Sequence, residues 1–310
     1  ENMFDIHFYR EKRPDKINAI KQQIFLNIYK SIKDKNAPKV YMEFLKQYGL
    51  KLELNGNMVK NEDVYPIFII RSFIYGADKF PKIKHIVIDE MQDYSPAQFY
   101  VINYLFNCPK TILGDYSQSL NPKEVKENYK YLKDILSDEM SFVTINKSYR
   151  PTREIAALYN YIGDIKDAIV VDRPGTSPEL ISATNDTNAC ANIVKLVKEA
   201  KKVGYKSIAI VTKTNKVAAS LYDKLSKKLD TLHLIDDNTD GYNNETCVIS
   251  AFNSKGLEFD YVIVYNVSDK EYNNALDNNL LYIACSRALH DLKLISIGKP
   301  NKKIEKYFKG

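Results

Sequence analysis

An α/β fold built on parallel sheets is the fold class this sequence predicts, and three observations predict it. From residue 83 onward, short runs rich in β-branched residues alternate with amphipathic stretches. The short runs are continuously apolar, as expected of strands covered on both faces. The chain has 310 residues, 45% hydrophobic and 27% charged, an ordinary globular composition with length for two domains.

The first 80 residues read differently, as helices. Lys16 to Ile32 places Ile17, Ile20, Ile24, Ile28 and Ile32 on one stripe. Pro38 opens a second helix through Tyr41, Phe44, Leu45 and Tyr48, with Gly49 as its stop. Glu62 to Gly76 reads as a third. Strands are then predicted at Ile86–Asp89, Thr111–Leu113, Phe142–Ile145, Glu179–Ser182, Ser207–Val211, Cys247–Ser250, Tyr261–Tyr265 and Leu292–Ile297. Helices are predicted at Pro96–Phe106, Arg153–Gly163, Thr187–Val203, Val217–Leu229 and Ala275–Leu289. A domain change is placed near residue 141, giving segments 1–80, 81–141 and 142–310.

Bulk properties narrow the classes. The net charge is +6 and the pI about 8.8, a weak signal for anionic partners. Lys, Asn, Tyr and Ile run high together, and A/T-rich coding accounts for much of that basicity. Cys108, Cys190, Cys247 and Cys285 lie far apart, with no CxxC or CxxH pair, so neither a zinc site nor a disulfide framework is indicated. Glu1 to Arg13 is polar, unlike a signal peptide. The longest apolar run, Tyr65 to Tyr75, is broken by Pro66 and Arg71 and falls short of the roughly 20 residues a membrane helix needs. A cytoplasmic, monomeric protein with reduced thiols is the expectation. His7, His85, His233 and His290 are scattered and receive no chemistry.

Five motifs remain. His85-Ile-Val-Ile-Asp89-Glu90-Met-Gln92-Asp93 is an apolar strand ending in adjacent carboxylates, where α/β sheets place ligands. In phosphoryl transfer one such carboxylate serves a Mg²⁺ shell and the other an attacking water. On its own the pair is more often a solvated loop. Thr111-Ile-Leu-Gly114-Asp115-Tyr-Ser-Gln118-Ser119 ends another short strand, and the Gln118 amide could report on a γ-phosphate or its water; alone it is an ordinary turn. In Asn146-Lys-Ser-Tyr149-Arg150-Pro151, Tyr149 could stack on a base and Arg150 could reach a phosphate, or the segment is a plain helix start. Ser254-Lys255-Gly256-Leu257-Glu258-Phe259-Asp260 lies between apolar strands as a charged turn. Leu280 to Ala288 places Arg287 on an otherwise apolar helix, where a lone arginine more often snorkels than catalyses.

The ordered set DExQD, GDxxQS, xYRP, SKGLEFD and LLYxAxSRA resembles that of UvrD/Rep-type superfamily 1 motors, over residues 83–297. The resemblance implies two RecA-like domains with ATP between them: a complete C-terminal domain, and a truncated N-terminal one with added helices. It implies Asp89 as the Mg²⁺ carboxylate (through water), Glu90 as catalytic base, and Gln118 near the γ-phosphate. Tyr149 would stack on adenine, and Arg150 and Arg287 would be the arginine fingers. Glu258 would contact the ribose, and Asp115 and Gly256 would belong to the nucleotide-binding motifs. ATP and Mg²⁺ are the implied cofactors.

Departures qualify the resemblance. No G-x-x-x-x-G-K-[ST] occurs in the sequence; Lys255-Gly256, Gly298-Lys299 and Lys309-Gly310 have the wrong context. The chain is therefore expected to be a C-terminal portion of a motor. The apolar-aromatic pair of unwinding enzymes after GDxxQS is Leu120-Asn121 here, and Phe252 stands where they carry His. Only some 36 residues separate Val211 from Cys247, too few for the accessory domain of UvrD and Rep. The wording Asp93-Tyr94-Ser95-Pro96, Leu113-Gly114-Asp115 and Cys285-Ser-Arg-Ala-Leu-His290 is most similar to HelD-type proteins. That similarity implies an ATP-driven factor bound to RNA polymerase. DNA translocation, or a role as an inactive interaction fragment, are the alternatives.

Overall fold

The computed structural model describes residues 36–55, 58–115, 118–119, 132–136, 140–145, 147–166, 168–237, 239 and 245–309. The chain divides into two units: Glu1–Tyr116 with Lys123–Phe142, and Ser117–Pro122 with Val143–Gly310. The expected helix over Lys16 to Ile32 lies outside the described residues.

Six strands of the second unit form one all-parallel sheet: β7 (Glu179–Ala183), β8 (Ile208–Thr212), β9 (Leu232–Ile235), β10 (Thr246–Ser250), β11 (Phe259–Val264) and β12 (Ala288–Ile297). Their spatial order is β7-β12-β11-β8-β10-β9. All of β8 and β10 is buried, because side chains alternate between two separate cores. Ala209, Val211, Cys247, Ile249, Val262, Val264, Leu292 and Leu294 face one core. Ile208, Ile210, Val248, Tyr261, Ile263 and Ile295 face the other. Helices α4 (Arg153–Ile162), α7 (Ala275–Cys285) and α8 (Lys302–Lys309) cover the first face. Helices α5 (Asp186–Val203) and α6 (Asn215–Leu225) cover the second. Each fully buried Ile or Leu stabilises the sandwich by about 1.5–3 kcal/mol. Helix α5 starts where the Asn185 side chain accepts the Asn188 N–H at 2.9 Å. It stops at Gly204, whose φ of +102° glycine adopts without strain.

In the first unit, α1 (Ala37–Gln47) packs Val40, Tyr41 and Leu45 against Ile70 of α2 (Asn61–Tyr75). The Tyr41 hydroxyl donates to Asp63 at 2.8 Å. Strands β1 (Leu54–Asn55) and β2 (Met58–Val59) pair between these helices, so the region expected to be helical also holds a short antiparallel pair. Strands β3 (Ile86–Ile88) and β4 (Lys110–Ile112) pair in parallel and flank α3 (Pro96–Leu105). A capping box of Ser95 and Gln98 starts α3.

Four expectations are corrected. Phe142–Ile145 forms no strand, and Val143 and Ile145 are exposed; the pairing falls instead on β5 (Lys147–Ser148) with β6 (Ile169–Val170). The helix expected to run to Leu289 ends at Cys285, so Arg287 occupies the turn into β12 rather than a helix. The helix expected to reach Leu229 ends at Leu225. Strand β9 and helix α8 had no counterpart in the expectation: His233 interrupts one apolar run, and lysines dominate the other.

The cysteines sit as burial orders them. Cys190, Cys247 and Cys285 are buried and Cys108 is half-buried. Burial pushes the Cys285 thiol up to about 12. Alkylation of the native chain at pH 8 is expected to label Cys108 and spare Cys285 until denaturant is added; equal labelling rates measured by mass spectrometry would contradict this packing.

Among the described residues, no helix is long and apolar enough to cross a membrane.

Candidate functional site

The acidic turn of the first unit grows from the register of β3 and β4. The Leu113 N–H donates to the Ile88 carbonyl at 2.8 Å, and the Met91 N–H to the Leu113 carbonyl at 2.9 Å. This forces a tight reversal, with Glu90 in the left-handed region at φ +52°, uncommon for a residue bearing a Cβ. The Glu90 N–H donates to the Asp89 carboxylate at 2.9 Å. Asp89 is exposed and Glu90 half-buried. The buried Gln92 of the first motif bridges to the second. Its amide nitrogen donates to the Glu90 carboxylate, and its amide oxygen accepts the Asp115 N–H at 3.0 Å. One side chain thus orients Glu90 and ties down the turn that carries Asp115. Gln92 lay within a quoted motif, but its spacing alone gave no sign of this bridging.

Gly114 leaves no space at this junction. A Cβ there would lie 2.3 Å from Met91 Cγ and 2.7 Å from Gln92 Oε1. Gly114→Ala is expected to destabilise by about 1–3 kcal/mol through overpacking. Thermal denaturation with an unchanged midpoint would contradict that estimate.

The second-unit residues gather at the amino-terminal ends of β11 and β12. The Phe259 N–H donates to the Arg287 carbonyl at 2.9 Å, which sets the turn holding Arg287 against the start of β11. Arg287 is 5% exposed. Its Nε donates to the Ile283 carbonyl at 3.1 Å and its Nη1 to the Leu257 carbonyl at 3.3 Å. Its Nη2 donates to Gln118 Oε1 at 2.7 Å and to Ser286 Oγ at 2.9 Å. Gln118 belongs to the segment grouped with this unit. These four acceptors are neutral.

Arg150 and Glu258, two further candidates, meet each other: Nη1 donates to Oε1 at 2.5 Å, with the arginine side chain 74% exposed. Tyr149 is exposed with Lys147 Nζ 5.1 Å from its ring centroid. Gly256 has φ +73°, which lets the loop turn between β10 and Glu258 without strain.

His290, given no chemistry in the sequence reading, has partners on this edge. Its Nδ1 accepts from Arg173 Nη2 at 2.9 Å, and its Nε2 lies 3.9 Å from Asp260. Burial pushes the Asp260 carboxyl up. The N–H groups of Ser207 and Lys206 and the Ser207 side chain outweigh it and hold the carboxyl below the ordinary range.

Among the described residues no cluster of three metal-ligating side chains occurs.

The family model of the UvrD-like helicase C-terminal domain matches residues 246–295, from β10 almost to the end of β12. This span holds Gly256, Glu258 and Arg287. The matched residues all lie in the second unit and make up about a sixth of the chain. Among solved structures, the chain is similar to the C-terminal domain of a possible DNA helicase from Lactobacillus plantarum WCFS1, with 27% identity and a TM-score of 0.44, covering 51% of this chain and 92% of that one. It is also similar to the helicase of PRRSV, with 14% identity and a TM-score of 0.38, covering 71% of this chain and 36% of that one. Comparison with curated proteins finds no match.

Proposed function

We propose that this chain is the C-terminal part of a superfamily 1 helicase-type ATPase, and that Arg287 and Arg150 are the guanidiniums acting on the transferred phosphoryl group. The carrying observation is the setting of Arg287. Burying a guanidinium costs several kcal/mol unless it is well paired. Here a buried one donates to two carbonyls, an amide and a hydroxyl. A guanidinium bound to a phosphate oxygen gains the attraction of opposite charges, which the neutral Gln118 amide does not supply. A phosphoryl oxygen would therefore compete with Gln118 for Nη2. Arg150 would exchange one anionic partner, Glu258, for another, freeing that carboxylate for a ribose hydroxyl.

Within the first unit, Asp89 would hold Mg²⁺, which supplies charge neutralisation of the phosphates when bound. Glu90, oriented by Gln92, would accept the proton of the attacking water. Tyr149 offers an exposed ring to the base.

The remodelling of RNA polymerase is the finer reading we favour, on the HelD-like motif wording. It is supported by the short path between β8 and β10, where the described residues hold only α6 and β9. Co-purification of the complete protein with RNA polymerase at low salt tests it, and failure to associate would remove it. DNA translocation is favoured by a different observation: Phe252 is exposed with Lys255 Nζ 5.2 Å from its ring, a pairing suited to stacking on a base. Single-stranded DNA that left ATP turnover of the complete protein unchanged would remove that reading.

A further inference from the structure

We propose that Arg173 is a positioning residue for Arg150: residues 168–175 form a brace that fixes the backbone of the Tyr149-Arg150 turn, and His290 anchors the brace to the main sheet. This rests on the reading of Arg150 as a group that acts on nucleotide.

The brace is built from both backbone and side chains. Strand β6 pairs with β5 in the register Lys147 to Ile169 and Ser148 to Val170. The ladder extends by one bond, from the Val171 N–H to the Ser148 carbonyl at 3.3 Å. Beyond it, the chain turns so that the Arg173 N–H reaches the Val171 carbonyl at 2.8 Å. Arg173 then grips the turn from two sides. Its Nη1 donates to the Arg150 carbonyl, and its own carbonyl accepts the Arg153 N–H at 2.8 Å. Two residues on, the Gly175 N–H donates to Glu154 at 2.9 Å. A Cβ on Gly175 would lie 2.3 Å from Thr152 Cγ2, so the brace seats against the start of α4 only because that position is glycine.

The second guanidinium nitrogen reaches the sheet. Arginine only donates, so the 2.9 Å contact between Arg173 Nη2 and His290 Nδ1 makes Nδ1 the acceptor and puts the imidazole proton on Nε2, which faces Asp260. Tyr205 stacks on the His290 ring with centroids 6.3 Å apart. Asp260 in turn holds the N–H groups of Lys206 and Ser207, ahead of β8. The connection thus runs from the amino ends of β8 and β11 through His290 and Arg173 to the Arg150 carbonyl. Arg150 needs such support. Its side chain is long and largely exposed, and fixing its backbone narrows the arc its guanidinium can sweep. Misplacement of a reacting group by about 1 Å can lower a rate roughly a hundredfold.

The test has two arms. In the 310-residue chain, hydrogen exchange read by mass spectrometry is expected to be about tenfold faster over residues 147–153 in Arg173→Ala, with β8 and β11 unchanged. Arg173→Lys keeps one donor and should recover part of the protection. If Arg173→Ala does not fold, the half-buried His290 decides: His290→Ala should loosen the same peptide, and His290→Asn, which keeps an acceptor, should not. Unchanged exchange over 147–153 in the folded variants overturns the brace. In the complete ATPase, Arg173→Ala is expected to lower kcat roughly tenfold to a hundredfold with KM within about twofold. Faster exchange with unaltered kcat, where Arg150→Ala does lose turnover, overturns the positioning role. Wild-type turnover in Arg150→Ala overturns instead the reading of Arg150, and the exchange arm still decides the brace.

Discussion

Replacing Arg287 with Ala in the complete protein is expected, on the proposed function, to lower the kcat of ATP hydrolysis by roughly a thousandfold or more, the scale of arginine fingers elsewhere. The reason lies in when the guanidinium is needed. Negative charge gathers on the phosphoryl group in the transition state, and a donor already desolvated by the protein meets it at the cost of one exchanged hydrogen bond. Arg287 is placed that way at the start of β12, held by Ile283, Leu257, Ser286 and Gln118. Truncation also removes one donor from each of those acceptors, and any left buried without another partner costs about 1–3 kcal/mol. Arg287→Lys separates the two effects, since it keeps a charge while losing the planar fork. Steady-state turnover, ADP affinity and thermal midpoint should be measured together. A kcat loss far larger than the change in ADP affinity, in a protein still folded at the assay temperature, is expected. Normal turnover would remove Arg287 from the mechanism.

Glu90→Gln is expected to abolish multiple turnover while leaving nucleotide binding intact. The substitution removes the proton acceptor and little else, because the new amide oxygen can still accept from Gln92. General-base removal costs about 10²–10⁴ in rate. Nucleotide affinity should be unchanged or slightly tighter, since one negative charge facing phosphate is gone. Equilibrium binding with a fluorescent ATP analogue and phosphate-release kinetics read the two quantities separately. Loss of binding together with turnover would instead give Glu90 a structural role.

The sheet of the second unit was legible because its strands are continuous apolar runs, each closed by a polar turn. Strands β8, β10 and β11 were placed to within about two residues by pattern alone. The failures share a cause. Phe142–Ile145 has the composition of a strand, but pairing falls one step later, where backbone partners in β6 exist; a single sequence does not show which run finds a neighbour. The stretch after Cys285 reads as helix by periodicity, yet the chain must turn there to bring Ala288 beside Phe259. Of the candidate site, the motif residues were found by residue type and order. The bridging role of Gln92 and the places of Arg173 and His290 were not, since these come from contacts across 23, 23 and 117 positions. Asp172-Arg173-Pro174-Gly175 reads as an ordinary surface loop until β6 lies beside β5.

Where two guanidiniums go when nucleotide is bound decides whether they act on the phosphoryl group. A structure of the complete protein with Mg²⁺, ADP and aluminium fluoride measures it. We expect Arg287 Nη2 to have left Gln118 Oε1 and Arg150 to have left Glu258, both lying about 3 Å from the fluoride ligands. Nucleotide bound with both arginines still on Gln118 and Glu258 would contradict the account.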